Sequence, residues 1–180
     1  MLATTDIYMF RSTVYSCTAS IGDPCDYETM IKLYRSTDLD EEKNRLMRAG
    51  MANFENRELL KKTLEFAISA DVRAQDSVFL IAGVARNRLG RDISLEFFKE
   101  HLNLFKGRYQ SGSLLAKLVK SVSERFLTEE KAQMVEKFFQ ENPLPGSERN
   151  VSQSLETIRL NSSWLQRDGA AINSFLSSTQ

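Results

Sequence analysis

His101 is the one histidine in 180 residues, and it limits the available chemistry from the start. A zinc-hydrolase helix of the H-E-x-x-H kind needs two histidines one turn apart so that both face the ion. His101 has no such companion, and Glu100 precedes it instead of following it. A Ser–His or Cys–His nucleophile would have to be assembled by the fold, since nothing beside His101 supports one. The local sequence predicts a half-exposed histidine on a helix. Cys17 and Cys25 fit neither a zinc nor a redox spacing, and without a secretory context they read as free thiols. The carboxylate runs Asp40-Glu41-Glu42 and Glu129-Glu130 sit where helices begin, and the helix dipole accounts for them without catalysis. Gly83, Gly90 and Gly107 stand apart and form no phosphate cradle.

Two groups of cations remain. Arg86, Arg88 and Arg91 crowd one loop, and Lys117, Lys120 and Arg125 follow one later helix. Surface charges ordinarily face water, which gives a solvated face. The functional alternative is that Arg86, Arg88 and Arg91 line a concave surface and attract a peptide's carboxylate.

The elements that must carry these residues all read as helices. Asp6 to Ile21 has Ile7, Phe10, Val14 and Tyr15 on one side, and Pro24 ends it. Asp26 to Tyr34 follows. Asp38 with Glu41 resembles a capping box opening a helix that carries Leu46, Met47 and Met51. Asn56 can cap the next helix, whose stripe is Leu59, Leu60, Leu64, Phe66 and Ala67. Asp76 to Ala85 is the most apolar segment, expected at the centre, with Gly83 admitting a close neighbour. Asp92 is the expected cap of ISLEFFKEHLNLF, read as one helix. Leu114 to Phe126 is another, and Thr128 caps one bearing Met134, Val135, Phe138 and Phe139. Asn142-Pro-Leu-Pro-Gly146 is a stiff link to a terminal helix with Val151, Leu155, Ile158, Leu165, Ile172 and Phe175 in one stripe. Trp164 at its side reads as a core anchor.

About ten short amphipathic helices joined by polar turns predict an all-α fold of antiparallel helix pairs stacked as a HEAT/armadillo-like α-solenoid. A compact bundle is the alternative, because no strict repeat is visible. No composition shift marks a boundary, so residues 1–180 are expected to form one helical-repeat domain. Lys+Arg and Asp+Glu are both 24, which removes the basic field of a nucleic-acid binder. No apolar run approaches the ~20 residues of a membrane span, and no secretory signal opens the chain, which predicts a cytoplasmic protein.

Four segments resemble one family: DLDEEKNRLMRAG at 38–50, LEFAISADVRAQDSVFLIAGVA at 64–85, RYQSGSLLAKLVKSV at 108–122 and VEKFFQENPLPGSERNVSQSLETIRLNSSWLQRD at 135–168. In this order they are similar to the end of an M1 zinc aminopeptidase of the puromycin-sensitive type. The resemblance implies the last part of the family's C-terminal domain, an all-α bowl that walls the peptide chamber. It also implies that the family's zinc belongs to a separate catalytic domain. The motifs that hold zinc and substrate, H-E-x-x-H and G-x-M-E-N, are absent from these residues; Gly50-Met-Ala-Asn53 lacks the glutamate. The expected role is therefore a non-catalytic wall without a cofactor, with a peptide or the catalytic domain as partner. The alternative is a free-standing helical-repeat module that binds protein or peptide. Ile7, Phe10 and Val14 exceed what one inward stripe needs, so they predict self-association through the first helix.

Overall fold

The computed structural model describes residues 3–110 and 112–178, with side chains from Phe10 onward. Among the described residues there are helices and turns and no strand, as the sequence predicts. The chain forms two compact units that divide between Arg108 and Tyr109.

The first unit begins with α1 (Ala3–Ile21) and α2 (Pro24–Ser36). The capping box that opens α2 is Asp23 with Asp26: the Asp23 carboxylate accepts from the Cys25 and Asp26 N–H groups, and Asp26 accepts from Asp23 N–H. The box expected at Asp38 does not form. There α3 (Asp40–Arg45) starts after Leu39, which has no side-chain cap bond. It runs into a π-turn, Leu46–Gly50, and a 3₁₀ turn, Met51–Asn53. The Met51 N–H reaches back to the Leu46 carbonyl, and that extra residue lets Leu46, Met47 and Met51 all point inward. The Asn53 amide donates to the carbonyls of Arg48 and Ala49, satisfying acceptors that the widened turn releases.

Asn56 caps α4 (Arg57–Ile68) by accepting from Glu58 and Leu59 N–H, as its type predicts. A short turn leads to α5 (Ala74–Arg86), and the two helices pack together. Val78, Leu80, Ile81 and Val84 on α5 are fully buried, so the most apolar stretch is central. A Cβ at Gly83 would lie 2.8 Å from the Ala52 Cβ, so the expected close neighbour is the 3₁₀ turn. The chain read as one helix, ISLEFFKEHLNLF, divides at His101 into α6 (Arg91–Glu100) and α7 (Leu102–Tyr109). His101 Nδ1 lies 3.0 Å from the Phe97 carbonyl and its ring packs on Phe97, while Phe98 stacks on Phe105. This aromatic cluster holds the corner.

The second unit is α8 (Ser113–Ser123), α9 (Glu129–Glu141) and α10 (Glu148–Ser178). Thr128 caps α9 through Lys131 N–H. Leu118, Val119, Ala132, Val135 and Ile158 form its fully buried centre, with α10 lying on both α8 and α9. Of the predicted α10 stripe only Leu155 and Ile158 are buried. Trp164, expected as a core anchor, is 50% exposed because it lies on the side of α10 away from the buried Leu155, Ile158 and Ser162.

Candidate functional site

The concave feature closest to the expected basic loop is built by four short segments of the first unit. α5 ends at Arg86, and residues 87–90 form a tight turn into α6. Asn87 fixes that turn from inside. Its amide donates to the Ala52 and Phe54 carbonyls at 3.2 and 3.0 Å, and its side-chain oxygen accepts from Leu89 N–H at 3.0 Å. Gly90 completes it, because a Cβ there would sit 2.0 Å from the Val84 carbonyl oxygen. The turn is therefore pinned to the 3₁₀ segment, and Arg88 is presented by a rigid frame.

Arg88 is exposed and lines a polar cleft of about 290 Å³ together with Ser16, Ser20, Asn53, Glu55, Asn87 and Leu89. Asn53 and Asn87 use their amide N–H groups on backbone carbonyls, as described. The Ser20 hydroxyl donates to the Cys17 carbonyl at 2.9 Å. The open wall thus offers a guanidinium from Arg88 and, opposite in sign, the Glu55 carboxylate. Arg86 is exposed at the C-terminal end of α5, where a cation suits the helix dipole, and it does not line the cleft. Arg91 is half-buried as the first residue of α6, also outside the cleft. Its Nε is buried without a hydrogen-bond partner among the described residues. The three arginines that sequence spacing groups are thus given three different environments, and only Arg88 faces this cleft.

In the other cation group, Lys120 and Arg125 share one carboxylate at the surface. Glu124 lies 3.9 Å from the Lys120 Nζ and 3.6 Å from the Arg125 guanidinium.

Two features escaped the sequence reading. Glu42, taken as a dipole-favoured residue of a helix start, is buried. It accepts a short hydrogen bond from the Tyr15 hydroxyl and pairs with Arg11 at 3.1 Å and Arg45 at 3.3 Å. Burial tends to raise the carboxyl's pKa, but the bonds from Tyr15 and Arg11 with the nearby positive charges outweigh it, and the net direction is downward. The Tyr15 phenol is pushed up to about 12, by burial first and by Glu42 second. This node ties α1 to α3. The second feature is a groove between α9 and α10. Arg159 on α10 reaches Glu136 at 2.6 Å and Glu129 at 3.3 Å on α9, in a recess of about 450 Å³. Beside it an apolar cleft of about 240 Å³ is lined by Phe139, Leu144, Val151 and Leu155. Arg159 and its two glutamates are 23 and 30 residues apart, so only packing reveals them.

Among the described residues no three His, Cys, Asp or Glu side chains converge as a zinc ligand set, and the Nδ1 of His101 lies against the Phe97 carbonyl. Among them, too, no helix is long and apolar enough to cross a membrane.

Comparison with known proteins places these features in a family. Residues 9–160 match the model of the ERAP1-like C-terminal domain. Aminopeptidase M1 of Arabidopsis thaliana is 30% identical over 148 residues, 82% of this chain and 16% of the relative. Aminopeptidase M1-A of Oryza sativa subsp. japonica is 31% identical over 156 residues, 87% of this chain and 17% of the relative. The alanine/arginine aminopeptidase of Saccharomyces cerevisiae is 26% identical over 169 residues, covering 93% and 20%. The chain thus spans no more than a fifth of the length of these relatives.

Proposed function

This chain belongs to the family of ERAP1-like C-terminal domains of M1 aminopeptidases, and from that premise we propose that it is a non-catalytic helical wall of a peptide chamber. The observation that carries the reading is the family match over residues 9–160 in a chain whose described residues hold no zinc ligand set. In this reading the helix pairs stack as a HEAT/armadillo-like solenoid of the puromycin-sensitive type, in the cytoplasm, against a catalytic domain that holds the zinc. Arg88 supplies the charge that attracts a peptide carboxylate. Its guanidinium presents planar donors from a turn whose backbone Asn87 holds, so the turn itself need not be ordered on binding. Glu55 on the same wall favours a cationic group of the peptide. Arg86 and Arg91 add long-range positive potential. Phe10 and Val14 leave an apolar strip on α1 that supports self-association; Ile7, the third residue of that strip, lies outside the described side chains.

The test uses the 180-residue chain and a fluorescent acidic peptide with a free carboxylate. Binding is expected to weaken as salt rises and to fall several-fold in Arg88→Ala, with smaller losses in Arg86→Ala and Arg91→Ala. Unchanged affinity in Arg88→Ala would remove the cleft from the proposal.

A further inference from the structure

Along α9, the proximal half of α10 presents Glu148, Val151, Ser152, Leu155, Glu156 and Arg159, which follow one another at helical steps on one face. The recess around Arg159 and the apolar cleft beside it share Glu136, Ser152 and Leu155, so the two form one continuous groove within the second unit. Its middle is apolar, where Val151 and Leu155 meet the buried Phe139 and Leu144. Its walls are acidic. Glu136, Glu148 and Glu156 line it, and Arg159 is the one cation among the lining residues. That guanidinium is already divided between Glu136 at 2.6 Å and Glu129 at 3.3 Å. Glu148 and Glu156 are both exposed. Glu148 accepts from the Gly146 N–H, and among the described residues neither carboxylate has a cationic partner. Lys137 on α9 faces Glu141 at 3.9 Å, and neither Lys137 nor Arg149 lines the groove. The groove thus carries uncompensated negative charge at two exposed points with apolar surface between them.

We propose that this groove docks an extended basic segment of a partner protein, with the pattern cation-x-apolar-x-cation. Glu148 and Glu156 are eight residues apart on one helix face, a separation of about 12 Å along the axis. In an extended chain residues i, i+2 and i+4 share a face, and the first and last are about 13 Å apart. The two cations of such a segment therefore reach Glu148 and Glu156 together, while the large apolar side chain between them enters the cleft. A docking helix would need a stripe of anchors at i, i+3 or i+4, and i+7, and the groove offers one apolar cleft between charges instead. Charge excludes an acidic segment, since like charges across an interface are repulsive. A second copy of this chain does not supply the motif. The spacing occurs once, at Arg57-Glu58-Leu59-Leu60-Lys61, where α4 holds it as a helix with Leu59 buried. Both carboxylates are exposed, so the ion pairs set register and selectivity, and the complex is weak and salt-sensitive. The preference is opposite in sign to that of the Arg88 cleft, which makes the two sites separable.

Fluorescence anisotropy of the full chain with an end-blocked, labelled peptide containing Arg-Ser-Leu-Ser-Arg tests this. Binding is expected between micromolar and millimolar peptide and should weaken as salt is raised. Glu148→Gln and Glu156→Gln should each weaken it several-fold, and the double variant about tenfold. Glutamine at 148 still offers an oxygen to the Gly146 N–H, so the fold is expected to persist, which circular dichroism checks. Glu141→Gln removes one charge outside the groove and is expected to leave the affinity unchanged. A peptide with Arg-Ser-Ser-Ser-Arg, or with the leucine moved to the other face as Arg-Leu-Ser-Ser-Arg, should bind several-fold more weakly. An acidic counterpart, Glu-Ser-Leu-Ser-Glu, should not compete. Absence of binding at millimolar peptide, competition by the acidic peptide, or equal affinity for the peptide without leucine would each overturn the proposal. So would unchanged affinity in the double variant, or a loss in Glu141→Gln as large as that in Glu156→Gln.

Discussion

Glu42 is where single-residue chemistry bears most on this chain. Its carboxylate takes a hydroxyl donor from α1 and two guanidiniums, so removing its charge weakens the tie between α1 and α3, while Arg45 keeps its pair with Glu41. Its folded pKa is below the ordinary 4.5, so its contribution is present above 4.5 and is lost as pH falls through the folded pKa. Tyr15 acts at the other end. Its folded pKa of about 12 exceeds the ordinary 10.0, so its contribution is complete below 10.0 and is lost as pH climbs towards 12. Glu42→Gln is expected to lose about 1–3 kcal/mol at neutral pH. It should also show a shallower acid limb in chemical denaturation than the wild type. An acid limb of unchanged slope would show that other carboxylates govern it.

At the scale of elements, caps and corners decide stability. Asn56 satisfies two N–H groups at the start of α4, and Asn56→Ala is expected to cost about 1 kcal/mol. Two glycines of the same type should respond in opposite directions. Gly90 is jammed against the Val84 carbonyl, so Gly90→Ala must displace backbone and should lower the melting temperature sharply. Gly107 lies exposed in α7 with nothing within 4 Å of its added Cβ. Gly107→Ala should raise stability by up to about 1 kcal/mol. Thermal melts of the three variants check these signs.

For the whole molecule, the absence of a converging ligand set among the described residues sets the expectation. The isolated chain should hold no stoichiometric zinc and should turn over no aminoacyl-chromogenic substrate when zinc is added. Metal analysis showing about one tightly held ion per chain would defeat this, since that ion would need ligands the geometry does not gather. The exposed α1 strip, with Phe10 at 62% and Val14 at 55%, gives a second expectation. Phe10→Glu, Val14→Glu should reduce any self-association of the chain seen by light scattering.

Periodicity determined the helical class and apolarity the central place of Val78 to Val84, residue type the caps at Asn56 and Thr128, and the order of four segments the family resemblance. Each of these depends on residues close in sequence, or on a pattern summed over many positions, and neither needs tertiary detail. The carboxylate of Glu42 could not be recognised from its neighbours, because Tyr15 precedes it by 27 residues and the dipole explained it equally well. Arg86, Arg88 and Arg91 looked like one cluster since sequence spacing ignores direction. The turn locked by Asn87 and Gly90 sends Arg88 alone to the cleft. The α10 stripe was legible in full, but which half of it is buried was not. Burial depends on how far α8 and α9 reach alongside, and a stripe has the same spacing whether a neighbour covers it or water does.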